Sequence, residues 1–319
     1  VTDVTGSPGA TAKTRPCRSG SLSLAIIGRA TGWHARRLAA SATARGHLVS
    51  IIEWASLAST IDGHGEALAP AGLAAADVVC VRGMPGGNAG QDRLEQVVFR
   101  MDVLGRLTAR GTPVVNAPRS LEAAIDKYLA SSRLVAAGLA TPRTVVVQGG
   151  TAAAAAWEQL GGDCVVKPLF GSQGKGIVRL DTAGALTAWL TGAAGPGPET
   201  VCYLQEFMGQ ARWDARILLV GERAFAMRRT APVGDWRTNL AVGGGAEPFS
   251  PPVEWLTAAR RAAAALETEI AGVDLLPAAD GGPLVLEVNA VPGWRGLEAV
   301  TGPVVTDAVA DLLETRARG

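Results

Sequence analysis

The pattern of apolar runs changes once along this chain, and that change limits the fold more than any other feature. From Leu22 to Ala117, short apolar runs alternate with helical stretches. LSLAIIG, HLVSIIE, DVVCVRG and PVVN read as buried strands. Between Asp92 and Arg110, Leu94, Val97, Val98, Met101, Leu104 and Leu107 recur at helical spacing. Strands joined through helices predict a parallel α/β layer. A helix then starts near Pro118, with Ser120 as its expected N-cap and Gly138 just past its end. After Thr141 the strands are TPRTVVVQ, CVVKP, GIVRL and VCYLQEF, with helices expected over 152–160 and 183–190. Two hairpin patterns follow, with turns on Gly221-Glu222 and Asp280-Gly281. Helices over 254–271 and 304–316 flank the second. This half predicts an α+β layout of antiparallel sheets.

Composition narrows the class. With 319 residues, 48% hydrophobic and 18% charged, the chain can bury a full core without disulfide staples. A net charge of +1 excludes a global basic field for nucleic acid. No apolar run approaches the roughly 18–20 residues of a membrane span. Residues 1–21 are small, polar and Gly/Pro-bearing; they are expected to be a disordered tail, and they lack a secretory h-region. Cys17, Cys80, Cys164 and Cys202 form no C-x-x-C pair, which suits free thiols in a reducing, cytoplasmic setting. The expected divisions are 1–21, 22–117, 118–200 and 201–319.

Three segments could carry chemistry. A turn on Asp280-Gly281 sets Asp274 opposite Glu287, with Asn289 on the face of Glu287. Opposed carboxylates repel, and a cation between them would offset the cost. Hard oxygen ligands suit Mg²⁺ or Mn²⁺, with phosphate oxygens completing the shell. A solvated edge, or another register, would leave the two charges apart. The second segment, KPLFGSQGKGI, follows Lys167 with Gly171, Ser172, Gln173, Gly174, Lys175 and Gly176. Such a loop can bring backbone N–H groups to an anion. It is not a Walker A loop, and an exposed glycine-rich turn reads the same way. The third is basic: Arg228, Arg229, Arg237, then Asn239. A turn on Gly221-Glu222 sets Asp214 opposite Arg229, as in a structural ion pair, while a loop arginine at 237 could clamp a carboxylate or phosphate.

In this order the segments AAIDKYLASSRLVAAGLATPRT, VVKPLFGSQGKGI, LQEFM, DARILLVG, RTAPVGDWRTN and GVDLLPAADGGPLVLEVNAVPG resemble the ATP-grasp superfamily, and within it the RimK-like carboxylate–amine ligases. The resemblance spans about Asn116 to Gly302, and the preceding α/β layer looks like a pre-ATP-grasp domain. It divides the rest into a central or lid subdomain over 118–200 and a catalytic one over 201–319. It implies that Lys127 and Lys167 contact ATP phosphates and that the Gly171–Gly176 loop covers them. Gln205, Glu206, Phe207 and Met208 would hold adenine and ribose, with Asp214 near the ribose. Arg237 and Asn239 would face the γ-phosphate and acyl phosphate, and Arg228 would add positive charge that neutralises ATP and the incoming acid groups. Asp274, Glu287 and Asn289 would bind magnesium. His34, His47 and His64 all fall in the first domain, away from that site.

The resemblance implies phosphoryl transfer from ATP to a carboxylate, then amide formation with an amine. RTNLAVGGG carries Ala241 and Val242 where protein-modifying members have a basic pair, and NAVPGWRGLE replaces a serine-rich turn. The sequence therefore looks closer to members that add L-glutamate to small pterin, furan or deazaflavin carriers. The alternatives are a peptide or another amino acid as substrate, or a silent nucleotide-binding protein. Arg29, Arg82 and Arg295 could meet an acidic acceptor. The implied partners are that acceptor and L-glutamate, with no nucleic acid or membrane, in a homodimer or homotetramer.

Overall fold

The computed structural model describes residues 20–63, 65–86, 93–171, 176–192, 195–209, 212–240 and 243–319. The expected tail, Cys17, His64, Ser172, Gln173, Gly174, Lys175, Ala241 and Val242 lie wholly or mostly outside the described residues.

The first layer runs β1 (Ser23–Ile27), α1 (Trp33–Ala44), β2 (Leu48–Ile52), β3 (Ala58–Asp62), β4 (Gly65–Ala69), α2 (Ala71–Ala74), β5 (Val78–Val81), α3 (Leu94–Ala109) and β6 (Val114–Val115). The order β2-β1-β5-β6 is parallel throughout, as the alternation predicts. Val78, Val79, Cys80 and Val81 are all buried, because helices and loops cover both faces. β3 and β4 form a separate antiparallel hairpin that the sequence reading did not anticipate. Its run ASTIDGHGEALA lacks a clear period-2 apolar signal.

The single helix expected after Pro118 is two: α4 (Pro118–Ile125) and α5 (Lys127–Ala136). Pro118 opens α4, so Ser120 is not its N-cap; Ser120 is buried and donates to the Glu267 carbonyl at 2.6 Å. Asp126 breaks the run. Its Oδ1 accepts from the Tyr128 and Leu129 amides at 2.8 and 3.1 Å, so it caps α5. Lys127 thereby becomes the first residue of a helix.

β7 (Thr144–Gln148), α6 (Gly150–Gln159), β8 (Cys164–Lys167), β9 (Val178–Leu180), α7 (Ala183–Thr191) and β10 (Val201–Glu206) follow. The sheet order is β7-β10-β8-β9, antiparallel, with α6 and α7 packed on one side. A division at residue 200 would cut this sheet, because β10 is one of its two central strands.

The last part contains β11 (Trp213–Val220), β12 (Arg223–Thr230), β13 (Gly245–Pro248), α8 (Val253–Ala265), β14 (Ile270–Pro277), β15 (Pro283–Asn289), α9 (Arg295–Thr301) and α10 (Val304–Arg318). The order is β13-β12-β11-β14-β15. α8 stops short of the expected 271, because Glu267 takes a positive φ of 55° and Ile270 already belongs to β14. One face of the sheet, with Ala215, Ile217, Leu219, Ala271, Val273 and Val288, packs on α8 and α5. The opposite face changes character along β11. Leu218 and Val220 join the core shared with α1 and α10, whereas Asp214 and Arg216 are polar. That polar half-face holds the candidate site. Among the described residues no helix is long and apolar enough to cross a membrane.

Candidate active site

Asp274 pairs with Glu287 across β14 and β15, and Gly272 pairs with Asn289. The route to that register is not the one the turn suggested. The connection is a longer loop from Ala278 to Gly282, and the near half of the ladder pairs Leu275 with Val285 and Leu276 with Leu284. A bulge at Leu286 then shifts the register by one, restoring Asp274 opposite Glu287. The bulge also lets Val285 and Val288, three apart, both enter the α8 core while Glu287 stays on the polar face.

Asp274 is buried and clamped. Arg216 Nε and Nη2 donate to its Oδ1 and Oδ2 at 2.6 Å each, and Arg229 Nη2 reaches Oδ2 at 2.8 Å. Arg229 also holds Asp214 bidentately at 2.7 and 2.6 Å, in the register that the Gly221-Glu222 turn predicts. The Thr238 hydroxyl donates to Asp214 Oδ2 at 2.6 Å, tying the following loop to this network. Burial pushes the Asp274 carboxyl up, but Arg216 and Arg229 outweigh it and hold the pKa at about 2. Sequence reasoning passed over Arg216; its signal was the spacing Asp214-x-Arg216, which places both on one strand face.

Glu287 differs. Among the described residues it accepts no hydrogen bond and makes no ion pair, and it lines a cavity of about 30 Å³ with Lys127, Ser131, Lys167, Gly171 and Tyr203. Lys127 Nζ donates to the Gly171 carbonyl at 3.1 Å and to the Leu169 carbonyl at 3.4 Å. Burial lowers its pKa, with Glu287 acting in the opposite sense. Lys167 Nζ donates to Gln205 Oε1 at 2.5 Å. Burial brings Lys167 down to about 8, again with Glu287 opposing. Gln205 is buried, and its amide donates to Thr144 Oγ1 at 3.0 Å and to the Tyr203 hydroxyl at 3.1 Å. The network and cavity together hold Lys127, Lys167, Arg216 and Arg229 against Asp214, Asp274 and Glu287, four cations to three anions.

The remaining sequence candidates divide. Phe207 lies between Arg179, 3.6 Å from its ring centroid, and Trp236, in edge contact at 5.5 Å. The loop over 231–240 therefore leans on the end of β10, where Glu206 and Met208 are half-buried. Asn239 is half-buried in that loop. Arg237 is held within its own loop by Asp235 at 2.7 Å. Arg228 does not join the site. Strand alternation sends it to the α8 face, where it stacks 4.4 Å over Trp213 and pairs with Glu247 at 3.6 Å. Arg229, one residue on, takes the inward position.

The donor set fits a magnesium ion carried with a nucleotide. Asp274 and Glu287 carry hard oxygens, and among the described residues the Glu287 carboxylate has no partner of its own. Among the described residues no group of three or more His, Cys, Asp or Glu is placed to hold a metal, so two carboxylates and the Asn289 amide need phosphate oxygens to complete a shell.

Comparison with known proteins identifies the family. The family model for the RimK-like ATP-grasp domain matches residues 124–314. Tetrahydromethanopterin:alpha-L-glutamate ligase of Methanosarcina acetivorans is 32% identical, covering 83% of this chain and 90% of that protein. A probable alpha-L-glutamate ligase of Stenotrophomonas maltophilia is 32% identical over 92% of this chain and 98% of its own length. The ATP-grasp ligase PsnB, solved with a phosphomimetic variant of its minimal precursor, Mg and ADP, shares the fold at a TM-score of 0.68 and 22% identity, covering 93% of this chain and 99% of PsnB. A RimK domain protein from Sphaerobacter thermophilus does so at 0.67 and 22%, covering 91% and 98%. The chain therefore belongs to the RimK-like ATP-grasp family and is an ATP-dependent carboxylate–amine ligase.

Proposed function

We propose that this ligase joins L-glutamate through its amine to the carboxylate of a small acidic carrier of pterin, furan or deazaflavin type. The observation that carries the reading is the meeting of Lys127, Lys167 and Glu287 around one cavity, beside the clamped Asp274. Relatives named as alpha-L-glutamate ligases, one of them acting on tetrahydromethanopterin, support the amino acid and the carrier class.

Lys127 and Lys167 would bind the nucleotide phosphates, which replace the Gly171 and Leu169 carbonyls and Gln205 Oε1 as acceptors. Asp274, Glu287 and Asn289 would hold magnesium, which when bound neutralises charge on the phosphates. Arg216 and Arg229 keep Asp274 ionised and aimed. Gln205, Glu206, Phe207 and Met208 would take the adenosine, with Asp214 behind them. Arg237 and Asn239, on the loop anchored by Thr238, would approach the transferred phosphoryl group once Arg237 leaves Asp235. The acceptor carboxylate takes the γ-phosphoryl, and the glutamate nitrogen then attacks the acyl carbon and expels phosphate. Such chemistry rests on positioning and charge neutralisation and needs no protein nucleophile.

The test is ADP release with ATP, Mg²⁺, L-glutamate and a panel of pterin, furan and deazaflavin acids, with product mass read in parallel. A gain of one glutamyl unit or more on one acceptor is expected. ADP release without glutamate incorporation moves the reading to another amine. Nucleotide binding with no ADP release from any acceptor overturns it.

A further inference from the structure

A second cluster of charge lies where the first layer meets the loop after β15. Arg82, at the C-terminal end of β5, donates from Nη2 to the Pro292 carbonyl at 2.6 Å, and its guanidinium lies 4.2 Å from the Trp294 ring centroid. Its Nε is shielded from solvent and has no hydrogen-bond partner. Arg295, the first residue of α9 just past that loop, is exposed, its guanidinium 6.0 Å from the Trp33 ring. Among the described residues neither arginine has a carboxylate within ion-pair distance. The titratable neighbour they share is His34, whose Nε2 accepts from the Trp294 and Arg295 amides at 2.9 and 3.3 Å. Burial first, then the two arginines, hold His34 neutral, with a pKa of about 4. Among the described residues the cluster is therefore two cations with no counter-charge.

Shielding a guanidinium without an anion is unfavourable, and a bound carboxylate would relieve it. Burial lowers the Arg82 pKa to about 10, consistent with that imbalance. The place suits a ligand, because open parallel sheets bind theirs beyond the carboxyl ends of the strands. It also adjoins the phosphoryl-transfer centre. A Cβ built on Gly272 would lie 2.8 Å from Pro292 Cβ and 3.8 Å from Arg216 Nε. Pro292, which Arg82 grips, is thus packed against the strand that presents Asp274.

We propose that Arg82 and Arg295 form a carboxylate subsite that holds a free acid group of one ligase substrate beside the phosphoryl-transfer centre. The inference rests on the ligase reading for what the acid belongs to, but not for whether it binds. Guanidinium groups pair with carboxylates through two parallel N–H bonds, and Arg82 keeps its unused Nε for such a partner. The acid can come from L-glutamate or from the acceptor.

The full chain, Arg82→Gln and Arg295→Gln are titrated by calorimetry with L-glutamate, with tetrahydromethanopterin and with ATP plus Mg²⁺. Arg295 is exposed, so its variant guards against a folding failure at Arg82. The expected result is that both variants weaken one of the two acids about tenfold or more and leave ATP binding unchanged; the acid that weakens identifies the source. Wild-type binding of neither acid, or equal binding of both acids by all three proteins, overturns the subsite. Acid binding that is lost in the variants, in a protein that never releases ADP, keeps the subsite and overturns the ligase reading instead.

Discussion

Asp274 and Glu287 stand opposite each other in the β14–β15 ladder, yet the protein neutralises only one of them. Arg216 and Arg229 clamp Asp274, whereas among the described residues no group within bonding distance answers Glu287. Two opposed carboxylates on one sheet face are unfavourable. Asp274 is thus locked into the fold by ion pairs, whereas the Glu287 carboxylate has none among the described residues.

Glu287→Gln should leave the fold intact. Removing its charge relieves repulsion from Asp274 but also withdraws a favourable charge from Lys127 and Lys167, so the two effects oppose and the unfolding midpoint should change little. Turnover should fall by about 100-fold or more, as for the loss of one preorganised electrostatic group. Wild-type ADP release from this variant would remove Glu287 from the site.

Arg229→Met should act the opposite way on stability. It leaves Asp214 and Asp274 buried with fewer counter-charges, and breaking such a pair costs about 3–5 kcal/mol. Urea denaturation would show the loss. A change under about 1 kcal/mol would mean the network is far better solvated than its burial indicates.

Magnesium alone should bind weakly, because two carboxylates and an amide leave the shell unfilled. Calorimetry with Mg²⁺ should give little heat without nucleotide and clear binding with ADP present. Equal affinity in both conditions would require further protein ligands.

ATP affinity should fall as pH rises through about 8, the pKa to which burial brings Lys167. Bound phosphate favours the charged amine and raises that pKa, so binding above pH 8 takes up a proton. The dissociation constant then grows by up to about tenfold per pH unit until the bound-state pKa is reached. Lys167→Arg, which stays charged, should flatten the profile.

Asp126→Ala should cost about 1 kcal/mol through loss of the α5 cap. Because Lys127 is the first residue of that helix, fraying should also raise the KM for ATP more than it lowers kcat. A stability loss with no change in KM would separate the cap from nucleotide binding.

Much of this was legible in the residues. The parallel first layer follows from alternating strands and helices, and the register of β11 with β12 follows from one turn. The opposition of Asp274 and Glu287 was also legible, though a longer loop and a bulge at Leu286 produce it where a tight turn was expected. Two deviations of one residue cancel, and no local signal announces either. The break at Asp126 was present as a capping residue inside a helical pattern, and amphipathic spacing masked it. Arg228 and Arg229 look equivalent in sequence, and only the strand face separates them.

By itself, then, the sequence determined most of the strands, much of their local pairing and the set of charged residues available, because these depend on period, turn chemistry and short range; the β3–β4 hairpin, which lacks that period, escaped it. Tertiary structure alone decided which charges meet. Arg216 reaches Asp274, 58 positions away, because β14 returns beside β11. Lys127, Lys167 and Glu287 share one cavity because α5, β8 and β15 converge there. Arg82 grips Pro292, 210 positions on, across the junction of two layers. Ion pairing acts over a few ångströms in space, and distance along the chain does not report it.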